Sequence, residues 1–264
     1  MAGRKFGTRL TKKSTAKFPS AVILAGGLGT RLRSAFSTGP KSLAPVNGRP
    51  FLDYLLSWLR AEGVEEVILC VGYKRSLIEQ HVEGGRKWGL RVSYSIEKER
   101  LGTGGAIKNA EPVISGTPVF VLNGDTFLEV SLREMLDFHR RKRASATLAV
   151  TRANNERRYG GLELDREGRI VKFSEKGRRS ASYGSGDGQA NINGGVYLIE
   201  RETLSRIPPN TVVSFETDVL PDLVSSRTVF GFRTSGYFLD IGVPDDLERA
   251  QIELPERNYN RDSR

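Results

Sequence analysis

AVILAGGLGTRL, residues 21–32, decides how this 264-residue chain is read. Residues 21–26 are a continuous apolar run that ends in glycines, the pattern of a strand buried on both faces. The glycines beyond it let backbone N–H groups approach an anion, and Thr30 and Arg31 add side-chain donors. Ligands of open parallel sheets bind past the carboxyl ends of the strands, so this loop is well placed for phosphate. Its spacing is not the dinucleotide fingerprint, because Gly27-x-Gly29 is followed three residues later by Leu32. Nor is it a Walker loop, since no Gly-Lys-Ser/Thr is present. Taken alone, the glycines also fit an ordinary turn between a strand and a helix.

The alternation continues outward from this stretch. Residues 50–62 place Phe51, Leu52, Leu55, Leu56 and Leu59 at helical spacing, with Pro50 to start the helix and Gly63 to end it. Strands are expected at 65–72, 91–97, 118–125 and 146–151, and helices at 74–82, 104–110 and 131–143. This βαβα order predicts an α/β, Rossmann-like fold: a mixed, mainly parallel sheet flanked by helices on both faces. Past residue 150 the pattern turns β-rich, with a hairpin turning at 165–168 and strands at 194–200, 228–232 and 237–242. One domain over 20–254 is expected, with halves 20–150 and 151–254 sharing a sheet. Basic tail 1–19 and C-terminal tail 255–264 flank it, and the polar, Gly/Ser-rich stretch 178–190 reads as a mobile loop.

Composition narrows the class. With 38% apolar, 27% charged and 8% aromatic residues the chain is globular. Cys70 is alone, so no internal disulfide forms, and one cysteine with two histidines does not build a usual zinc site. No apolar run approaches the ~18 residues of a membrane span, and the first 20 residues lack a secretory signal. A cytoplasmic protein with no membrane partner is expected. The net charge of +10 invites a nucleic-acid reading. Six of those charges (Arg4, Lys5, Arg9, Lys12, Lys13 and Lys17) lie in the tail, however, and no nucleic-acid reader motif appears. His81 and His139 fall on helices and read as surface residues, and Cys70 as a small buried hydrophobe.

Ten residues after Arg31 stands Lys41, in Pro40-Lys41-Ser42-Leu43-Ala44-Pro45-Val46. The flanking prolines stiffen the segment and present the lysine from it. An arginine and a fixed lysine beside an anion loop suit a triphosphate, whose departing pyrophosphate develops negative charge. Asp125 closes an apolar strand directly after Asn123 and Gly124, and by itself could be a turn residue. Asp240 lies inside the apolar run YFLDIG, an awkward place for a charge without a partner, though a hydrogen-bonded buried aspartate fits too. Glu97 follows the strand 91–97. A carboxylate there can accept both adjacent donors of guanine, whereas uracil and thymine offer one N–H between two carbonyls. As one charge within EKER it could equally be solvated.

GGLGTRL (26–32), PKSLAPV (40–46), LGTGGAI (101–107), VLNGD (121–125), FSEKG (173–177), INGGVYLI (192–199) and YFLDIGVP (237–244) occur in this order. Together they resemble the signatures of the sugar-1-phosphate nucleotidyltransferases over nearly all of residues 20–253. One departure is visible: many members carry a proline near Ser34, where this loop reads RLRSAFSTGPK. That bears on loop conformation rather than chemistry. The resemblance implies an enzyme that joins a nucleoside triphosphate to a sugar 1-phosphate and releases pyrophosphate. It implies Mg2+ held by Asp125 and Asp240, catalytic roles for Arg31, Lys41 and Lys176, and nucleotide contacts from Leu24, Ala25, Gly26, Gly27, Gly29, Thr30, Glu97, Gly102 and Thr103. Asn123, Gly124, Glu175 and Asn193 would meet the sugar. LGTGGAI and NGGVYL are most similar to members that use GTP and a manno-configured heptose 1-phosphate for surface glycans. Mannose 1-phosphate with GTP, N-acetylmuramate 1-phosphate with UTP, and a non-catalytic regulatory subunit are the alternatives. A homo-oligomer is compatible with the sequence, and no acyltransferase or repeat domain is expected after residue 254.

Overall fold

A computed structural model describes residues 17–32, 34–153, 159–174 and 189–254. The first half runs β1 (Ala21–Leu24), β2 (Pro45–Val46), β3 (Arg49–Pro50), α1 (Phe51–Ala61), β4 (Glu66–Val71), α2 (Arg75–Val82), β5 (Arg91–Ile96) and α3 (Gly102–Ala110). It continues through β6 (Val119–Asn123), β7 (Thr126–Leu128), α4 (Leu132–Lys142) and β8 (Ala146–Ala153). The second half adds β9 (Gly161–Leu164), β10 (Ile170–Ser174), β11 (Ala190–Ile199), α5 (Arg201–Ser205), α6 (Leu220–Ser225), β12 (Val229–Arg233), β13 (Phe238–Asp240) and α7 (Pro244–Glu253).

β1 lies between β4 and β6, parallel to both, and β5 extends the sheet beyond β4. Alternate side chains along β1 enter opposite layers. Ala21 and Ile23 pack with α1, α2, α4 and α7, while Val22 joins α3, α5 and α6. Helices thus cover both faces, which is why the parallel strands read as unbroken apolar runs rather than alternating ones. Cys70, on β4, is fully buried as expected, and burial pushes its thiol above the usual range.

The second half joins the same sheet. β11 runs antiparallel to β6, pairing Val196 with Leu122 and Ile199 with Val119. β8 pairs antiparallel with β11, and β12 pairs parallel with β8. The hairpin β9–β10 forms where the sequence places it, its turn closed by Asp165 Oδ1, which accepts the N–H groups of Glu167 and Arg169 at 2.9 and 2.8 Å. β11 begins four residues earlier than expected. It absorbs the glycines of INGGVYLI as an irregularity between Asn193 and Tyr197, with Gly195 at φ +73°.

Two expectations need correction. The strand expected over 118–125 stops at Asn123, because the chain crosses tightly over the end of β1. Gly124 N–H donates to Leu24 O at 3.0 Å, and a Cβ on Gly124 would lie 2.6 Å from that same oxygen. The chain resumes as β7, which pairs with β13 in a separate two-stranded ribbon, so YFLDIG does not enter the main sheet. Nor are the histidines free surface groups. His81 Nε2 lies 2.5 Å from the buried Asp53 carboxylate. His139 is only 1% exposed, between Thr147 Oγ1 at 2.8 Å and Glu200 Oε1 at 3.3 Å. Of the loop expected over 178–190, residues 178–188 lie outside the described residues, as do both tails apart from Lys17 to Pro19. Phe18 stacks on Phe120 with ring centroids 5.9 Å apart.

Burial, helped by the Arg140 charge, lowers the His139 pKa to about 4. Between about pH 6.5 and that value the unfolded chain takes up a proton that the folded chain refuses. Stability supplied by the neutral imidazole is therefore full above pH 6.5 and is lost as the pH falls. In chemical denaturation, going from pH 7 to pH 5 should cost the wild type roughly 2 kcal/mol more than it costs His139→Gln.

Candidate active site

A cavity of about 490 Å3 opens beyond the carboxyl ends of β1 and β6. The apolar β1 delivers the chain into the glycine loop, so Leu24, Ala25, Gly26, Gly27, Gly29, Thr30 and Arg31 all line it. Lys41 starts the short helical turn Lys41–Leu43 directly after Pro40, and Gly29 packs against its stem. Gly29 has a left-handed φ of +59°, and a Cβ there would stand 3.0 Å from Lys41 Cβ. The loop and the lysine are fitted to each other.

The β7–β13 ribbon supplies the acids. Asp240 pairs with Thr126 across it, and Ile241 N–H donates to Asp125 O at 3.0 Å. Two carboxylates far apart in sequence thereby meet at one side of the cavity. Lys41 Nζ donates to Asp125 Oδ2 at 2.6 Å and stands 3.7 Å from Asp240 Oδ1. Thr126 Oγ1 donates to Asp125 Oδ1 at 3.2 Å. Asp240 is 4% exposed, so its charge is stabilised mainly by what surrounds it. Gly242 keeps that corner open, since a Cβ there would come within 2.7 Å of Asp240 Oδ1. Among the described residues no cluster of three or more His, Cys, Asp or Glu is gathered around one point. Two carboxylates that already hold one cationic group are nevertheless the donor set a hard divalent cation accepts when water and phosphate oxygens complete its shell.

Glu97 follows β5, tied by its N–H to Val71 O at 2.8 Å. Its side chain lies over the glycine loop: a Cβ on Gly26 would be 2.5 Å from Glu97 Oε1. Glu97 Oε2 accepts the Leu101 N–H at 3.3 Å. Burial raises the Glu97 pKa above the ordinary carboxylate range, and the Leu101 hydrogen bond and Arg100 oppose that shift. α3 begins two residues earlier than expected, which sets Gly102 and Thr103 in its first turn on the cavity wall. Asn123, Gly124 and Asn193 complete the expected set, with Asn193 Nδ2 donating to Tyr197 OH at 2.8 Å. Glu175 and Lys176 lie outside the described residues.

This constellation can be compared with known proteins. A model of the nucleotidyl transferase family matches residues 20–257. The chain belongs to that family. It is 42% identical over 234 residues to the D-glycero-alpha-D-manno-heptose 1-phosphate guanylyltransferase of Aneurinibacillus thermoaerophilus, covering 89% of this chain and 97% of the relative. It is 37% identical to the mannose-1-phosphate guanylyltransferase of Mycobacterium tuberculosis, covering 89% of this chain and 64% of that one. Among solved structures, HddC from Yersinia pseudotuberculosis complexed with GMP-PN superposes with a TM-score of 0.77 at 34% identity, covering 89% of this chain and 98% of that chain.

Other residues of this nucleotidyl transferase line the cavity without having been singled out in the sequence: Arg100, Tyr159, Phe173, Tyr197, Glu216 and Phe238. Tyr197 and Phe173 sit within recognisable motifs but read there as strand-forming apolar residues. Glu216 carries no signal in SFETD beyond its charge. It reaches the wall through the π-helical turn Phe215–Val219, capped by Ser214, whose Oγ accepts the Thr217 N–H at 3.2 Å.

Replacing Lys41 by Met should leave Asp125 and Asp240 repelling each other without the ammonium. The expected loss is about 3 kcal/mol in chemical denaturation at pH 7, with the fold retained. Added divalent cation should restore part of it.

Proposed function

We propose that this nucleotidyl transferase moves the guanylyl group of GTP onto a sugar 1-phosphate, releasing pyrophosphate. The observation that carries this reading is Glu97, a partly buried carboxylate over the anion loop, in the same cavity as the Lys41–Asp125–Asp240 cluster. Such a group accepts guanine N1–H and the exocyclic amine together and repels the carbonyls of uracil and thymine. The preferred acceptor is D-glycero-D-manno-heptose 1-phosphate, giving GDP-heptose for surface glycans in the cytoplasm. The heptose relative supports this choice because it matches along nearly its whole length, while mannose 1-phosphate is the second acceptor by likeness.

An oxygen of the sugar phosphate attacks the α-phosphorus in line. The new P–O bond forms as the bond to the β-phosphate oxygen breaks, and the electron pair leaves with pyrophosphate. No protein nucleophile is required, since the attacking phosphate already bears negative charge. The loop N–H groups and Arg31 hold the triphosphate, with Leu24, Gly102 and Thr103 against the nucleoside. Lys41, which sits on the carboxylates, lies within reach of charge that develops on the leaving group. Asp125 and Asp240 would hold Mg2+, which when bound neutralises phosphate oxygens. Lys176 steers the acceptor phosphate. Glu175, Asn193, Asn123 and Gly124 take the sugar.

Pyrophosphate release measured with four nucleoside triphosphates against heptose, mannose and glucose 1-phosphates tests the assignment. GTP with a manno-configured acceptor should be fastest; a preference for UTP would overturn it. Glu97 must be ionised to accept both guanine donors. The KM for GTP should therefore rise on acidification at a pH above the ~4.3 of an ordinary glutamate. Glu97→Gln should flatten that profile and reduce the preference for GTP by about 5- to 150-fold, the equivalent of one good bidentate base contact.

A further inference from the structure

Four carboxylates line the described cavity wall: Glu97, Asp125, Asp240 and Glu216. The first three have roles in the transfer proposed above, and Glu216 has none. We infer that Glu216 accepts a hydroxyl of the acceptor sugar and selects the acceptor by it, an inference that rests on the sugar-1-phosphate reading.

Glu216 is held by three hydroxyl donors. Thr103 Oγ1 donates to its Oε2 at 2.6 Å, Ser214 Oγ to the same oxygen at 3.2 Å, and Tyr197 OH to Oε1 at 3.1 Å. The two oxygens of a carboxylate offer about four acceptor sites, so three donors orient the group and leave capacity toward the cavity. Tyr197 is 1% exposed and its hydroxyl in turn accepts from Asn193 Nδ2. A continuous polar chain, Asn193–Tyr197–Glu216–Thr103, therefore runs from β11 to the first turn of α3. Its β11 end is the amide expected at the sugar.

Charge argues for the same assignment. A carboxylate repels phosphate, and of the cavity's cations Arg31 lies on the glycine loop, Lys41 holds Asp125, and Arg100 lies beside Glu97, whereas the hydrogen bonds that hold Glu216 all come from hydroxyls. What a sugar 1-phosphate presents away from its phosphate is a set of hydroxyl donors. An oriented, partly buried carboxylate suits these, and leaving it without its hydroxyl costs more than a neutral acceptor would. Acceptors that lack the hydroxyl, or present it with inverted configuration, are then discriminated against.

The test uses the full chain, with Glu216→Gln and Glu216→Ala compared to wild type. Steady-state kinetics are run with mannose 1-phosphate and its monodeoxy analogues, GTP affinity is measured by calorimetry, and thermal midpoints are recorded. The expected result is a rise of about 10- to 100-fold in acceptor KM with GTP affinity unchanged. One deoxy analogue that wild type handles poorly should then be used by Glu216→Gln as well as its parent sugar. Glu216→Gln keeps the shape of the group, so it separates this role from loss of folding if Glu216→Ala is unstable. Weakened GTP binding with an unchanged acceptor KM would assign the residue to support of Thr103 and overturn the inference, as would wild-type kinetics in both variants. Wild type that turns over no sugar 1-phosphate at all would bring down the functional reading itself, and this inference with it.

Discussion

Two carboxylates turned toward one ammonium, one of them buried, repel one another, and such repulsion reaches about 4 kcal/mol for charges 4 Å apart at the effective dielectric of a protein. The ammonium of Lys41 between Asp125 and Asp240 is what lets that pairing exist in the absence of ligand. Much of the local architecture follows from this requirement. The ribbon of β7 and β13 is short and separate because its task is to bring the two acids into register. The prolines around Lys41, and the glycine fitted against its stem, hold the lysine where it meets both. On the function proposed above, a nucleotide in the cavity would bring oxygens that compete for the same ammonium, making the internal counter-ion a ligand contact as well.

The main frame was legible because its signals are periodic. Apolar runs of about five residues between helix patterns allow little besides a parallel sheet covered on both sides, and the structure has that sheet. The glycine loop, Lys41, Asp125 and Asp240 could be located because strand ends and apolar surroundings make their types conspicuous. The structure gathers them in one cavity.

What escaped the sequence depends on contacts between distant segments. Nothing in VLNGD announces that Gly124 must press on Leu24 O, yet that approach ends β6 and creates the ribbon. His139 lies on an amphipathic helix rich in charge, and only the placement of β8 and Glu200 buries it. Glu216 owes its position to a single π-helical turn, a geometry with no periodic signature.

Because β11 is hydrogen-bonded directly to β6, the walls of the cavity from the two halves grow from one continuous sheet. A clam-shell closure, in which the halves swing about a hinge, would have to tear that seam. Any closure around the reactants would therefore come from the connections rimming this shared sheet rather than from one half swinging against the other.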